Sequence, residues 1–177
     1  MLVIIGANLL FSASFSLSAL GYTSLSVIIA TVAIFALDGI LALIIRRLTP
    51  EKWYDPAKNL FAVSKKERNF YNKLKIKVWK DIVPEWGGFT NFHKDKLDNT
   101  SNASYLRRFL IESNYGVVIH LANAFLGFLI AFIPFCNSPA VWVPVFAVNF
   151  ILSLMPVAIL RHTSYTLLRL YNRSKQK

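Results

Sequence analysis

Apolar residues along the chain are gathered into two long blocks rather than spaced at a regular period. Residues 1–45 contain no Lys or Arg and one acid, Asp38, and residues 116–160 contain no Asp, Glu, Lys or Arg. Each block is about twice the ~20 residues that one helix needs to cross a bilayer. A turn-forming sequence lies near the middle of each block, at 21–24 and at 134–139. The pattern therefore predicts four transmembrane helices in two hairpins, at roughly 2–21, 25–46, 116–134 and 139–160.

Every lysine and arginine lies in the two segments that follow the apolar blocks, 46–115 and 161–177. Four spans place both termini and both of these segments on one side of the membrane, and the positive-inside rule makes that side cytoplasmic. We therefore predict an all-α, multi-pass protein of the cell membrane with both termini in the cytoplasm. Its predicted parts are a first transmembrane hairpin, a basic cytoplasmic or interfacial segment, a second hairpin and a basic tail, at 1–46, 47–115, 116–160 and 161–177.

Composition supports the membrane class and narrows the expected partners. The chain is 55% hydrophobic and 16% charged, whereas a soluble domain is about 25% charged. A single cysteine, Cys136, excludes a disulfide scaffold, and three scattered histidines predict no metal site. The net charge of +11 flanks the spans. Topology and anionic headgroups explain charge placed there, so membrane lipids rather than nucleic acid are the expected partners. A homo-oligomer is compatible with the sequence.

The segment between the hairpins contains a predicted amphipathic helix over 67–83, ended by Pro84. Apolar side chains recur every fourth residue, at Phe70, Leu74, Val78 and Ile82. Much of the remaining surface is basic, at Lys73, Lys75, Lys77 and Lys80. Such a helix can lie in the membrane plane against anionic lipid headgroups.

Two ionisable side chains fall inside predicted spans, where they are costly and usually mark a functional site or an interhelical pair. Asp38 lies eight residues before Arg46, and His120 lies four residues after Gly116. Both therefore lie in the cytoplasmic half and can face a common cavity. The alternative is that they only hold helices together, by pairing with each other or with Asn123. Interhelical hydrogen bonds are the predicted role of three further polar residues, Asn8, Asn149 and Ser153.

Glu112 is a third candidate, at the start of the predicted third span. It lies eight residues before His120, so the two side chains share one side of a continuous helix. About 12 Å of helix axis separates them, too far for contact but compatible with one substrate-filled cleft. The alternative is that Glu112 is a solvated partner of Arg107 or Arg108.

Two short motifs are similar to motifs of other enzymes. His93 and Asp98 have the H-x4-D spacing in which a carboxylate orients a histidine base in glycerolipid acyltransferases, but the Phe-Pro-Glu-Gly run of those enzymes is missing. Residues 161–165, Arg-His-Thr-Ser-Tyr, resemble the R-H-P-x-Y box of isoprenylcysteine-type methyltransferases without its proline. A solvated loop and a membrane-flanking tail are the simpler interpretations.

Residues 61–165 as a whole resemble the glycosyl-4,4'-diaponeurosporenoate acyltransferases, which finish staphyloxanthin-type carotenoids. The first matching stretch supplies Phe70, Tyr71, Ile76, Lys77, Trp79, Lys80, Asp81 and Pro84. The second is a glutamate eight residues before a histidine at the start of a transmembrane helix, Glu112 and His120 here. The third is the helix from Asn149 to Pro156. The family's Gln-Arg-Tyr-Asn-Arg after the last span is replaced by 161–165, and a Leu-Tyr-Asn-Arg string occurs later, at 170–173. This departure leaves the donor and acceptor open.

The resemblance implies transfer of a fatty acyl group to a hydroxyl of a lipid-linked glycoside, without a cofactor and with acyl-CoA or an acyl-lipid as donor. His120 would be the general base, and Glu112 or Asp38 would orient it or complement its charge. The residues expected to hold the donor phosphate, the lipid headgroup or the acyl chain are Lys77, Trp79, Lys80, Asp81, Arg107 and Arg108.

Two other function classes stay open at this point. A non-enzymatic lipid-binding subunit or small transporter would form no covalent product and would depend on the charges of Lys73–Lys80. A methyltransferase acting on an isoprenoid or lipid would need a methyl-donor site. All three classes share the four-span architecture.

Overall fold

The computed structural model describes residues 17–83 and 102–176, with side chains from Gly21 onward apart from that of Asn59. The described residues form helices and no strand, as predicted. The α-helices are α1 (Leu17–Leu48), α2 (Lys65–Lys73), α3 (Ile76–Trp79), α4 (Ala103–Leu126) and α5 (Pro139–Ser174). Short 3-10 helices occur at Glu51–Tyr54, Asn59–Phe61, Lys80–Ile82 and Gly127–Phe132.

Three helices in the described part of the chain are long and apolar enough to cross a membrane, at Gly21–Leu48, Ala103–Phe132 and Pro139–Ser174. The predicted first span, 2–21, and its hairpin lie almost entirely outside the described residues. Three membrane-type helices therefore support the membrane class, while the fourth span and the paired hairpins stay predictions.

The last helix differs from the prediction because it does not end near residue 160. It continues without a break to Ser174 and has 36 residues, which makes it about 54 Å long, well beyond the ~30 Å hydrocarbon thickness of a bilayer. Residues 161–174 contain no Gly or Pro, and two of them, Leu167 and Tyr171, are buried against α4 residues Leu106 and Phe109. Apolar burial at helical spacing therefore extends the helix into the basic segment.

The described chain divides into two compact units, and α1, α4 and α5 each contribute to both. Unit 1 consists of Met1–Ile44 and Ile119–Leu154, and unit 2 of Ile45–Val118 and Met155–Lys177. Every lysine and arginine falls within unit 2. Unit 1 contains one acid, Asp38, and one histidine, His120. The division along the chain thus follows the charge pattern of the sequence.

The core of unit 1 consists of an apolar cluster and a buried cluster of hydrogen-bonded polar side chains. Its buried apolar residues are Ala30, Ile34, Ile130, Cys136, Val141 and Val145. Beside them Asn123 Nδ2 donates to Asn149 Oδ1 at 3.3 Å and to Ser153 Oγ at 3.2 Å, and Asn149 Nδ2 donates to the Asn123 carbonyl at 3.1 Å. These bonds confirm the interhelical role predicted for Asn149 and Ser153, while Asn8 lies outside the described residues.

Gly127 has no side chain, and the Asn149 amide of this polar cluster occupies the space where a Cβ would lie. A Cβ at position 127 would overlap the amide nitrogen of Asn149 and lie 3.4 Å from its Cγ. The missing side chain therefore allows Asn149 to reach Asn123.

Unit 2 is held together by an aromatic and polar contact between α4 and the segment after α1. The rings of Tyr54 and Tyr115 stack with centroids 3.7 Å apart. The Asn114 Nδ2 donates to the Tyr54 carbonyl at 2.9 Å, and all three residues are buried. Together they fix the 3-10 turn of Tyr54 against the middle of α4.

The predicted amphipathic helix over 67–83 is not continuous, which corrects the prediction. Lys75 takes the left-handed conformation at φ 53° and separates α2 from α3, at a cost of about 1–2 kcal/mol for a residue with a Cβ. The break buries Ile76 almost completely, and Trp79 Nε1 donates across it to the Leu74 carbonyl at 2.9 Å. Burial of Ile76 explains why a straight helix is not kept. The predicted apolar stripe remains exposed, at Phe70, Leu74, Val78 and Ile82.

We predict that Gly127→Ala destabilises the protein and that Gly39→Ala does not. The new methyl at 127 displaces Asn149 from a buried hydrogen-bonded cluster, at an expected cost of about 1–3 kcal/mol. A Cβ at Gly39, in α1, meets no atom within 4 Å. Thermal unfolding of both variants in detergent measures the difference. Equal midpoints for the two variants would show that Asn149 does not need the space at Gly127.

Candidate functional site

The apolar unit contains one acid–histidine pair. His120 Nδ1 lies 3.7 Å from Asp38 Oδ1, with side-chain exposures of 26% and 29%. The Asp38 Oδ1 atom is itself buried and has no hydrogen-bond donor. A buried carboxylate oxygen without a donor is costly, and the facing imidazole nitrogen is the group placed to supply one. The structure thus contains the contact of the alternative interpretation, in which Asp38 and His120 pair with each other. That they also face a common cavity stays a prediction.

Such a pair leaves the second imidazole nitrogen for chemistry. When Nδ1 of a histidine carries its proton toward a carboxylate, Nε2 is the unprotonated nitrogen and can accept a proton from a hydroxyl. A separation of 3.7 Å is longer than a hydrogen bond, but such pairs are often loose without substrate and shorten in the reacting complex. The geometry therefore permits a general base at His120.

Glu112 lies in unit 2 and is ion-paired. Arg46 Nη2 donates to Glu112 Oε2 at 2.7 Å, and the Glu112 side chain is only 15% exposed. The Arg46 guanidinium also lies 5.3 Å from the centroid of the Tyr115 ring. Arg46 is thus a partner that we did not predict for Glu112, and it is 66 residues away in sequence.

An open cleft of about 380 Å³ in unit 2 adjoins this ion pair. Its polar lining consists of Glu51, Ser104, Arg107, Arg108, Glu112 and Tyr115. Three of the predicted site residues, Glu112, Arg107 and Arg108, are therefore brought together here.

Arg107 is bound on two sides by acids that precede it in the chain. Its guanidinium lies 2.8 Å from Asp55 Oδ2 and 3.4 Å from Glu51 Oε1. The hydrogen bond from Arg107 lowers the pKa of Asp55 below its ordinary value, and the Ala57 backbone N–H adds to the effect. The predicted headgroup residue Arg107 is therefore already ion-paired with two carboxylates.

A second charged cluster in unit 2 joins α2 to α5. Arg161 forms two parallel bonds to the Glu67 carboxylate, both at 2.8 Å, and a third to the Ala62 carbonyl at 3.2 Å. Tyr71 donates to Glu67 at 3.0 Å. Burial, followed by this bond to a carboxylate, raises the pKa of the Tyr71 hydroxyl. The same face carries a contact between His162 Nε2 and Asn72 Oδ1 at 3.0 Å.

The remaining predicted site residues lie at the end of α3 and just after it. The Lys77 side chain is exposed, Lys80 Nζ is 3.2 Å from Asp81 Oδ1, and the Trp79 indole bonds to the backbone. Their predicted contact with donor or lipid headgroups stays a prediction. His93 and Asp98 lie outside the described residues.

The sequence did not identify four residues that form arginine–carboxylate pairs in unit 2, namely Arg46, Glu51, Asp55 and Glu67. The pairing of Arg46 with Glu112 and of Arg161 with Glu67 spans 66 and 94 residues, so no local spacing signals it. Only the two acids that bind Arg107 have a local pattern, because Glu51 and Asp55 are four residues apart and follow Pro50. Within the described ranges no cluster of three or more His, Cys, Asp or Glu side chains is arranged to hold a metal ion.

These features define an all-helical protein with membrane-type helices, an acid–histidine pair in its apolar unit and arginine–carboxylate pairs in its basic unit. A comparison with protein-family models matches residues 50–173 to the glycosyl-4,4'-diaponeurosporenoate acyltransferase family. The match covers well over half of the chain, and the chain belongs to this family, as the sequence resemblance predicted. Searches among curated proteins and solved structures found no significant match.

The range matched by the family model includes some of the candidate residues and not others. His120, Glu112 and Arg161 lie inside it, whereas Asp38 and Arg46 precede it. The roles of Asp38 and Arg46 therefore depend on the geometry of this chain alone.

We expect Arg161→Lys to destabilise unit 2 although it keeps the charge. Lysine cannot form the two parallel bonds to Glu67 or reach the Ala62 carbonyl at the same time, and the expected cost is about 1–3 kcal/mol. Arg173→Lys, at an exposed position of the same helix, is the matched control. Thermal unfolding in detergent measures both variants. A normal midpoint for Arg161→Lys would mean that charge alone, not the paired geometry, is required.

The Asp55 pair predicts a specific pH dependence. Because folding lowers the pKa of Asp55, its stabilising effect is present above the unfolded value of about 3.9 and is lost as pH falls through the lower folded value. Asp55→Asn should therefore be less stable than the parent at neutral pH and approach it in acid. Thermal unfolding between about pH 3 and pH 7 measures the difference. Asp81→Asn, whose carboxylate is 79% exposed, should follow the parent throughout. A gap between Asp55→Asn and the parent that does not narrow in acid would contradict the linkage.

Proposed function

We propose that the chain transfers a fatty acyl group to a hydroxyl of a lipid-linked glycoside in the cell membrane, with His120 as the general base. Membership of the acyltransferase family supports the reaction class. The single observation that supports the assignment of the base is the pair of His120 with Asp38, the one histidine and the one acid of the apolar unit.

In the proposed reaction the acceptor hydroxyl gives its proton to Nε2 of His120 as its oxygen attacks the acyl carbonyl carbon. Asp38 accepts the hydrogen bond from Nδ1–H and stabilises the imidazolium that forms, so it acts as a positioning residue. The bond between the acyl carbon and the donor sulfur or oxygen then breaks. His120 returns the proton to the departing thiolate or alkoxide. An ester is formed, the donor is released, and no redox step or cofactor is needed.

The apolar surroundings of the pair suit this step. A proton moves from a hydroxyl to an imidazole more readily when water does not compete for either group, and unit 1 contains no lysine or arginine whose charge would oppose an imidazolium. The acyl chain of either donor, an acyl-CoA or an acyl-lipid, is itself apolar and partitions into the same surroundings.

The basic side chains of unit 2 supply headgroup contacts in this proposal. Lys77 and Lys80 are exposed at the end of α3, where their ammonium groups can meet a donor phosphate or an anionic lipid headgroup. Trp79 and the exposed Trp53 have the amphipathic rings typical of the headgroup level.

The test is lipid mass spectrometry on membranes supplied with a glycosylated carotenoid and expressing the parent chain, His120→Ala, Asp38→Asn or an empty vector. The parent should yield a product heavier by one fatty acyl group. His120→Ala should reduce its formation by about 100-fold or more, the usual contribution of a general base, and Asp38→Asn should reduce it less.

His162→Ala is the matched control, because His162 lies in unit 2, where its Nε2 contacts Asn72 Oδ1. It should form the product normally. A product that survives His120→Ala at matched expression would reject His120 as the base. An unchanged lipid profile in the parent, with acceptor present, would instead favour the non-enzymatic lipid-binding alternative.

A further inference from the structure

The cleft of unit 2 has a polar lining that the acyl-transfer step does not use. Its volume of about 380 Å³ falls at the lower end of the ~300–1,000 Å³ range of small-ligand sites. Carboxylates come from Glu51 and Glu112, guanidinium groups from Arg107 and Arg108, and hydroxyls from Ser104 and Tyr115. Ile111 supplies an apolar patch among them.

The charges around this cleft are matched rather than uniformly basic. Arg107 is bound by Glu51 and Asp55, and Arg46 is bound by Glu112. A phosphate entering the cleft would have to break these ion pairs or approach their carboxylates. Arg107, which the sequence suggested as a phosphate ligand, is therefore poorly placed to hold an anion.

The same groups are well suited to a neutral ligand with many hydroxyls. A guanidinium has five N–H donors and a carboxylate has about four acceptor sites. One ion pair uses only some of them, so donors and acceptors remain for a ligand. Each sugar hydroxyl is both a donor and an acceptor, so it can bond to either member of a pair without separating the charges.

The walls of the cleft are held in place by contacts outside it. The Tyr115 ring is stacked on Tyr54 at 3.7 Å and has the Arg46 guanidinium 5.3 Å from its centroid. Its position is therefore fixed before a ligand arrives, and preorganised groups lose little entropy on binding. Ser104 is exposed in the first turn of α4 and marks the accessible edge.

We propose that this cleft binds the uncharged sugar headgroup of the glycoside acceptor, through the side chains of Arg107, Glu51 and Glu112. Arg46 holds the Glu112 carboxylate in place from outside the lining. The choice of a glycoside as ligand rests on the proposed function, but sugar binding can be measured without any acyl transfer.

The test uses the full chain in lipid nanodiscs or an amine-oxide detergent, because sugar detergents would occupy the site. The probe is an octyl glucoside that carries a photoreactive diazirine on its sugar, and labelled peptides are mapped by mass spectrometry. Label is expected on the peptide that begins α4, near Ser104. Unlabelled octyl glucoside should compete, and octyl phosphate and coenzyme A should not.

Ser104→Trp fills the edge of the cleft and should reduce labelling there about tenfold, the effect of losing roughly one net hydrogen bond. Thr166→Trp, at an exposed position of α5 in the same unit, should leave labelling unchanged. Ser104→Met serves as a smaller variant if the tryptophan lowers the unfolding midpoint. Undiminished labelling in a folded Ser104 variant, or competition by octyl phosphate instead of octyl glucoside, would overturn the proposal.

Product formation in the same variants separates this inference from the proposed function. Normal acylation by Ser104→Trp would reject the sugar site and leave acyl transfer intact. Labelling of the cleft in a parent chain that forms no acylated product would keep the sugar site and reject acyl transfer.

Discussion

The free-energy cost of placing charge in apolar surroundings governs the arrangement of this protein. Unit 1 contains no lysine or arginine, and its single acid faces its single histidine at 3.7 Å. An isolated carboxylate in such surroundings is strongly disfavoured, so Asp38 needs a partner with a proton to donate. The same requirement that stabilises Asp38 orients the imidazole of His120. A structural constraint of the apolar unit thus produces the arrangement that a general base requires.

In unit 2 the same constraint takes a different form, because that unit contains every lysine and arginine. Each of the five described carboxylates of unit 2 has a lysine or arginine nitrogen within 4.0 Å. Arginine is the partner wherever the carboxylate of unit 2 is largely buried, as for Glu67 and Glu112, since its planar group forms parallel bonds that lysine cannot. The net positive charge of the chain is therefore carried by side chains other than these arginines, among them the exposed lysines of α2 and α3.

In our proposals the two units supply different parts of the family's reaction. A hydrophobic acyl chain and a proton transfer are suited to the apolar unit, and a sugar or phosphate headgroup is suited to the polar one. Asp38 and Arg46 both lie on α1, and His120, Glu112 and Arg107 all lie on α4. The acid–histidine pair carries out the proton transfer, and the ion-paired side chains of the cleft recognise the acceptor.

The sequence by itself determined the all-helical class, the membrane-type helices, the family and the candidate residues Asp38, Glu112 and His120. Those conclusions rest on the local distribution of apolar and charged residues and on short motifs, which are properties of neighbouring positions along the chain. Whether Asp38 paired with His120 or with Asn123 was left open, because hydropathy does not specify which side chains of two helices face each other.

Only the tertiary structure decided the long-range partners and the irregular backbone. Arg46 meets Glu112 and Arg161 meets Glu67 across 66 and 94 residues of sequence, and packing alone brings such residues together. The left-handed Lys75 breaks a helix whose apolar spacing predicted continuity, because burial of Ile76 outweighs the local preference. The extension of the last helix to Ser174 has the same origin, since Leu167 and Tyr171 gain burial against α4 that no local pattern reveals.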